Sequence, residues 1–138
     1  MLKSFTIDQL YIGLNATSNH VITDEKIQLF ADISGDYNPV HLDSEFAEKT
    51  RFGKRIAHGM LVSSFISALF AMKLPGQGSI YLSQSLSFKK PVYINDTVVA
   101  AVEVIAVDIP RKRVRFKTYC TVNDEIVING EAEIYIPD

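Results

Sequence analysis

The spacing of apolar residues along the chain changes near Pro75. Before this proline, apolar residues such as Ile27, Phe30 and Ala31 recur at the three- and four-residue intervals of one helix face. After it, apolar and polar residues alternate, as they do on the two faces of a β-strand. The pattern therefore predicts an α+β domain in which most of the helical sequence precedes the strands.

The first predicted helix begins after Thr23, whose hydroxyl can cap it, and ends at Gly35. The next residues, 36–39, cannot continue the helix because Pro39 excludes its predecessor from helical conformation and Asp and Asn favour turns. We therefore expect Asp36 and His41 on a short, bent connection. A brief helix is predicted to follow it, beginning at residue 43 or 44.

Residues 59–74 form the most apolar segment, with apolar residues on nearly every side of the predicted helix. Such a helix is enclosed by other structure. The segment is interrupted by three serines and a lysine, and it is shorter than the roughly 20 residues that span a bilayer. We expect a buried helix that ends at Pro75-Gly76 and no membrane anchor.

Alternating or β-branched sequence predicts about five strands. These segments are residues 16–22, 80–88, 97–107, 113–122 and 126–136. We expect segments 80–88 and 113–122 to have one solvent-exposed face each, and Asn123-Asp124 to form a hairpin turn.

One very apolar helix and a long antiparallel sheet bury their apolar surfaces together when the helix lies across one face of the sheet. This arrangement is the hot-dog fold, an antiparallel sheet of about five strands wrapped around a long central helix. A ferredoxin-like fold is the alternative, but its two similar helices would alternate with the strands. The length of 138 residues and a hydrophobic content of 47% suit a single domain, residues 1–138.

The formal net charge of -2 provides no general attraction for nucleic acid or for an anionic membrane, so we expect a small-molecule partner. Cys120 is the single cysteine and cannot form an internal disulfide. The first residues contain no apolar segment of the kind found in secretory signals. These features favour a cytoplasmic protein.

Asp36 and His41 are the first candidates for chemistry. Taken alone, an aspartate in a turn or a single histidine is more often structural. The two residues are five positions apart across a proline bend, so their side chains can converge, and histidine titrates near neutral pH. Together they can hold and deprotonate one water molecule.

The beginning of the apolar helix offers a second candidate feature. Backbone N–H groups in a first helical turn are unpaired, and Gly59 has no side chain to obstruct a ligand from reaching its N–H. This N–H can stabilise a developing oxyanion. His58 is expected mainly to cap the helix, and Ser67 by itself would be structural, bonding a carbonyl one turn back.

The segment Gly35-Asp36-Tyr37-Asn38-Pro39-Val40-His41, within residues 30–41, resembles the hydratase motif of the (R)-specific enoyl-CoA hydratases, also called MaoC-like dehydratases. The similarity continues through residues 58–61, 74–82 and 84–92. It covers most of the chain and shows no departure at the motif positions. The resemblance implies a hot-dog homodimer in which two sheets join into one.

The same resemblance implies the reversible hydration of trans-2-enoyl-CoA to (R)-3-hydroxyacyl-CoA. Asp36 and His41 would be the catalytic dyad, with Asp36 as principal base, and the Gly59 N–H would hold the thioester carbonyl. Ser67 would support the aspartate, and Asn38 belongs to the same motif as a supporting residue. No metal or other cofactor is expected.

The acyl chain is expected to run along the helix, where Ser63, Ser67 and Phe70 share one face. A bulky Phe70 at the end of this pocket would favour short chains, and ordinary core packing is the alternative interpretation of this residue. The cations that bind the coenzyme A phosphates stay open at this point: Arg51, Lys54, Arg55, Lys89, Lys90 and the run Arg111-Lys112-Arg113.

Several other functions compete with a coenzyme A hydratase. A 3-hydroxyacyl-[acyl-carrier-protein] dehydratase would use the same site. A hot-dog thioesterase usually has an acid on or beside its central helix, and residues 59–74 contain no Asp or Glu. A non-catalytic acyl-thioester binding module would not need both Asp36 and His41. A nucleic-acid module is disfavoured by the net charge.

Overall fold

The computed structural model describes residues 3–137, so predictions that involve Met1, Leu2 and Asp138 fall outside the described residues. Helices α1 to α4 comprise Asp24–Ser34, Pro39–Leu42, Ser44–Glu48 and Gly59–Met72. Strands β1 to β6 comprise Asn15–Val21, Ile80–Gln84, Ser87–Phe88, Thr97–Asp108, Arg113–Val122 and Glu125–Tyr135. A 3-10 helix, Ile7–Gln9, precedes β1.

All the strands join one antiparallel sheet in the order β1-β4-β5-β6-β2, with β3 also paired to β6. The sheet has six strands instead of about five because the segment predicted as one strand is divided into β2 and β3. The backbone between them passes close to β6, where a Cβ on Gly130 would lie 1.8 Å from the carbonyl oxygen of Ser85. Only glycine permits this approach of two backbones.

The prediction that one face of segment 80–88 is buried is wrong for the single chain. Ile80, Leu82 and Phe88 are 47%, 44% and 54% exposed. The reason is topological, because β2 lies at the edge of the sheet and α4 packs mainly against β1, β4 and β5. Strand β5, in contrast, alternates between buried and exposed positions over most of its length, as predicted.

Helix α4 lies across the sheet and forms the core with it, which confirms the hot-dog fold. Ile66 and Leu69 of α4 are fully or almost fully buried, as are Val102 of β4 and Phe116 of β5. Burial of each such side chain contributes about 1.5–3 kcal/mol. Among residues 3–137, no helix is both long and apolar enough to cross a membrane.

The helix is shorter and less enclosed than predicted. It ends at Met72 instead of residue 74, although the N–H of Leu74 still donates to Leu69 O at 2.9 Å. One side of α4 is open to solvent, with Met60 and Met72 57% and 49% exposed. The sheet covers only one side of α4, and no other element of the described chain covers the opposite side.

Local signals in the sequence predict the ends of several elements correctly. The Thr23 hydroxyl accepts from the Lys26 N–H at 3.2 Å and caps α1, and Gly35 ends this helix at a left-handed φ of 80°. The turn between β5 and β6 contains Asn123 and Asp124, both with positive φ. This backbone conformation matches the twist of a two-residue hairpin.

Candidate active site

The bend after α1 is built by side chains that bond the backbone nearby. Asp36 Oδ1 accepts from the Asn38 N–H at 3.1 Å, and Asn38 Oδ1 accepts from the Val40 N–H at 3.2 Å. Asn38 thereby caps α2, whose first residue, Pro39, suits a first helical turn. Asp36 lies in the predicted bend. The prediction for His41 needs a correction, because the cap and the proline place it in this short helix.

His41 has a fixed tautomer. Its Nδ1 lies 2.8 Å from the carbonyl oxygen of Ile56. Because a carbonyl oxygen only accepts, Nδ1 carries the hydrogen, and a neutral ring keeps a lone pair on Nε2. Nε2 lies 3.9 Å from Asp36 Oδ2, which is too long for a direct hydrogen bond. Two acceptors at this separation can both receive hydrogen bonds from one water molecule.

The two members of the pair differ in their exposure. The side chain of Asp36 is 49% exposed, whereas that of His41 is 11% exposed. The Arg55 guanidinium donates from Nε to His41 O at 2.6 Å, and its Nη2 pairs with Asp24 Oδ1 at 2.6 Å. The hydrogen bond between Arg55 and Asp24 lowers the pKa of Asp24. The guanidinium is thus committed to the Asp24 carboxylate and the His41 backbone carbonyl, and it contacts neither the Asp36 carboxylate nor the His41 ring.

His58 does not cap α4 with its side chain, so this prediction is wrong. Its ring is 2% exposed and stacks on His41, with centroids 3.9 Å apart. The Nε2 atom lies 3.1 Å from the backbone oxygen of Asp36. The ring therefore points back to the Asp36 bend instead of toward the helix N–H groups.

A cavity of about 510 Å³ opens beside His41 and the first turn of α4. Its lining includes Gly59, whose N–H is engaged by no hydrogen bond among residues 3–137. The ring of Phe88 lies against Gly59 so closely that a Cβ there would be 2.6 Å from Phe88 Cε1. An imidazole, a free N–H and an apolar wall thus meet in one cavity, whose lining does not include Asp36.

The structure separates the candidate cations. Arg51, Lys89 and Lys90 line this cavity. The others lie elsewhere: Arg55 pairs with Asp24, Lys54 lies over the ring of Tyr93, Arg111 pairs with Asp108 and Arg113 pairs with Glu133. Lys90 also pairs with Glu125 at the surface. Three of the candidate cations therefore line the cavity that also contains His41 and Gly59.

A second cavity, of about 540 Å³, lies along the open side of α4 and is lined by Ser63, Ser67 and Tyr81, among others. The Ser63 hydroxyl donates to Gly59 O at 2.9 Å. Ser67 is exposed, and within the described chain its hydroxyl contacts neither Asp36 nor another polar group. Ser67 therefore does not make the helix-carbonyl bond considered from the sequence, and its predicted contact with Asp36 is not made within one chain.

Phe70 is 2% exposed and belongs to neither of these two cavities. Its ring packs edge-on against Tyr81 at 5.3 Å and Phe116 at 4.9 Å. Tyr81 thus stands between Phe70 and the second cavity. Burial of the Tyr81 phenol raises its pKa to about 12. In the sequence, Tyr81 is visible as an aromatic residue in an alternating strand. That pattern does not show which face of the strand borders a cavity, so the sequence did not identify Tyr81 as a cavity residue.

Asp36, His41 and His58 each offer a potential metal-ligating atom, and these atoms lie within 4.8 Å of one another. One nitrogen of each ring already faces a backbone carbonyl. The remaining His58 nitrogen, Nδ1, is enclosed by protein. The arrangement therefore suits a water between Asp36 and His41 better than an ion bound by all three residues.

A model of the family described as "MaoC like domain" matches residues 13–130, which include the bend and α4. The chain belongs to the MaoC-like family. An (R)-specific enoyl-CoA hydratase of Rhodospirillum rubrum is 47% identical to this MaoC-like chain over 91% of its length and 87% of the relative's. A mitochondrial 3-hydroxyacyl-[acyl-carrier-protein] dehydratase of Arabidopsis thaliana is 38% identical, covering 94% of this chain and 79% of that protein.

Solved structures show the same architecture. An unliganded R-hydratase from Pseudomonas aeruginosa is 42% identical and superimposes with a TM-score of 0.94, covering 99% of this MaoC-like chain and 88% of that protein. The agreement extends over the sheet, the central helix and the bend before α2. The fold and the family membership thus rest on sequence and structure together.

Proposed function

We propose that this protein catalyses the reversible hydration of trans-2-enoyl-CoA to (R)-3-hydroxyacyl-CoA, acting on short acyl chains. The observation that carries the proposal is the pair of acceptors, Asp36 Oδ2 and His41 Nε2, 3.9 Å apart beside a cavity that also contains the free Gly59 N–H. Hydration needs these elements, a held water and a donor for the thioester oxygen. The relative from Rhodospirillum rubrum carries the name of the same activity.

In the hydration direction, the substrate carbonyl accepts a hydrogen bond from the Gly59 N–H at the positive end of α4. The water between Asp36 and His41 attacks C3, and electrons move onto the thioester oxygen as this C–O bond forms. Loss of one such donor typically raises the barrier by about 3–4 kcal/mol. We therefore assign to the free Gly59 N–H the role of stabilising the negative charge that develops on the thioester oxygen.

Asp36 acts as the principal base and accepts one proton of the attacking water. His41, with its lone pair on Nε2, orients that water and shares the proton. The proton then passes to C2, which completes the addition of water across the double bond. Dehydration follows the same steps in reverse. Asn38 supports the dyad through its cap on α2, which carries His41.

The carrier of the acyl group is assigned from the cations at the cavity. Arg51, Lys89 and Lys90 line it beside the proposed carbonyl site, and coenzyme A brings phosphates that such cations attract. The relative from Arabidopsis thaliana favours acyl carrier protein as the second candidate. Both carriers present the same type of thioester to Asp36 and His41.

The acyl chain is assigned to the second cavity, beside Ser63 and Ser67. Phe70 and Tyr81 fill the space behind this cavity, so a short chain fits best. Phe70 then limits the pocket through Tyr81. Ser67 is retained as a supporting residue, and because its hydroxyl reaches no polar group in one chain, this role requires the substrate or a second chain.

We further propose a cytoplasmic homodimer, built from single-domain chains, that forms through the edge strand β2. This strand has one neighbour, β6, and exposes Ile80 and Leu82. An exposed apolar edge of a sheet is a template for pairing with another strand. A second copy of β2 would continue the sheet and cover both this edge and the second cavity.

The proposed hydratase activity is tested by following the ultraviolet absorbance of crotonyl-CoA with wild type, Asp36→Asn, His41→Ala and the control Asp32→Asn. We expect loss of absorbance with wild type and control, formation of the (R)-3-hydroxy product, and a decrease in rate of about 10²–10⁴-fold in both dyad variants. Asp32 is a matched carboxylate of α1, where it accepts from the Tyr37 hydroxyl at 3.1 Å.

Other outcomes of this assay separate the alternatives. Turnover of crotonyl-acyl-carrier-protein without turnover of crotonyl-CoA would identify the second carrier. Saturable binding of either thioester by folded wild-type protein, without turnover, would overturn the enzymatic proposal in favour of a binding module.

A further inference from the structure

His58 is a buried histidine that the proposed mechanism does not use. It is one of the few buried polar residues, and its Nδ1 atom is the buried side-chain polar atom without a hydrogen-bond partner among residues 3–137. Such a group costs roughly 1–3 kcal/mol when it is left unsatisfied. An unsatisfied buried atom on a ring that contacts both members of the proposed catalytic pair calls for a functional explanation.

The contacts of His58 fix its tautomer. Its Nε2 lies 3.1 Å from the Asp36 backbone oxygen, which can only accept, so Nε2 carries a hydrogen. Adding a second hydrogen to Nδ1 would place a charged donor where no acceptor is available. The neutral Nε2–H form is therefore the form that fits this position.

The surroundings of the ring oppose a positive charge as well. Phe30 packs against the ring at 4.9 Å, and the His41 ring stacks on it at 3.9 Å. Burial lowers the pKa of His58, and a charge on His41 lowers it further, while the hydrogen bond to the Asp36 backbone and the Asp36 carboxylate act in the opposite direction. These are the titratable groups that face His58, and a neutral ring results.

We propose that His58 is a positioning residue that holds both members of the dyad at once. Its Nε2–H fixes the backbone of Asp36, and its ring face supports the ring of His41. The inference rests on the proposed function of Asp36 and His41 and goes beyond it. His58 lines neither of the two cavities, and its role is to set the distance between the two groups that hold the water.

The geometry explains why one residue serves both partners. His41 is tied to Ile56 O by Nδ1, and His58 is tied to Asp36 O by Nε2, so each imidazole is oriented by one backbone carbonyl. The stacked rings then join these two anchored units. Removal of His58 frees the Asp36 bend and the His41 ring to move apart, and misplacement of a reacting group by about 1 Å costs on the order of 10²-fold in rate.

The first test separates the two contacts by mutation. His58→Gln keeps a side-chain N–H donor but removes the ring, and His58→Phe keeps a stacking ring but removes the donor. We expect kcat to fall about 10–100-fold in each variant, with KM changed less than about threefold. Wild-type kcat in both folded variants would overturn the proposal.

His20→Phe is the matched control. His20 is also partly buried and stacked on an aromatic ring, Phe65, with centroids 4.0 Å apart, but it lies on β1 and lines neither cavity. We expect its kcat to match wild type. An equal loss of kcat in the control would attribute the effect to disturbed packing and overturn the assignment of His58.

The second test uses wild-type protein and does not depend on the folding of a variant. Nitrogen-15 NMR of the histidine rings is expected to show His58 as the neutral Nε2–H tautomer at pH 7. An imidazolium or an Nδ1–H tautomer would overturn the proposal. If wild type shows the expected tautomer but no hydratase activity, the proposed function fails, and this inference fails with it.

Discussion

In His41 and His58, the backbone carbonyl that faces one ring nitrogen decides which nitrogen carries the hydrogen and which can accept. Ile56 O fixes the hydrogen of His41 on Nδ1 and leaves Nε2 as an acceptor facing Asp36. In His58 the neighbouring carbonyl is that of Asp36, and the hydrogen lies on Nε2. The two stacked imidazoles thus hold opposite tautomers, and only His41 presents its lone pair toward the Asp36 carboxylate.

Two histidines with lowered pKa values make the folded protein sensitive to mild acid. Burial lowers the pKa of His58 and of His20 below 6.5. As the pH falls through 6.5, the unfolded chain therefore takes up protons before the folded chain does, so stability rises with pH in this window. We expect the free energy of unfolding to decrease between about pH 7.5 and pH 5.5, measured by urea denaturation.

Urea denaturation of two variants over the same pH range tests whether His58 and His20 cause this loss of stability. His58→Phe has no proton to take up at this position and should lose less stability over the interval than wild type does, and His20→Phe likewise. An identical pH dependence in wild type and both variants would show that other groups cause the loss.

The first turn of α4 meets the Phe88 ring of β3 at a close contact that glycine allows. A Cβ at Gly59 would lie 2.6 Å from Phe88 Cε1, but Phe88 is 54% exposed and its ring is free to rotate away. The close approach brings the N–H and the apolar wall of the cavity together. A larger residue at position 59 would move the ring while keeping the helix.

We expect Gly59→Ala to lower kcat/KM at least about tenfold without a loss of thermal stability. Alanine is a better helix former than glycine, while the displaced Phe88 ring changes the cavity wall beside the carbonyl site. Steady-state kinetics and a melting curve measure the two effects. The double variant Gly59→Ala/Phe88→Leu should recover part of the activity, and no recovery would show that the displaced ring is not the cause.

At the scale of the whole molecule, the β2 edge of the sheet and one side of α4 expose apolar residues to solvent. Strand β2 exposes Ile80 and Leu82, α4 exposes Met60, and the second cavity lies between the strand and the helix. A monomer would leave this apolar surface in contact with water, at a cost of about 25 cal/mol per Å². The proposed homodimer removes it.

We expect Leu82→Lys to shift the protein from dimer to monomer and to lower activity, because it introduces a charge into the proposed interface. Val21→Lys is the control, since Val21 is 46% exposed on β1, which lies at the opposite edge of the sheet from β2. Analytical ultracentrifugation measures both. A monomeric wild type, or two variants with equal dimer affinity, would contradict the proposed interface.

The sequence by itself determined the features that depend on neighbours in the chain. Thr23 caps α1, Asn123-Asp124 forms a hairpin, and the motif residues Asp36 and His41 approach each other through a bend made by Asn38 and Pro39. These interactions span only a few residues, so spacing and residue type are sufficient to predict them. The hot-dog fold also follows, because one apolar helix and alternating strands leave few ways to bury both.

Tertiary structure alone decided the features that join distant segments. His58 meets Asp36 O across 22 positions, and Phe88 lies against Gly59. Only the packing of β3 and the loops around α4 selects Arg51, Lys89 and Lys90 from the candidate cations. No local preference encodes such contacts, because their geometry depends on where the sheet, the helix and the loops come to rest against one another.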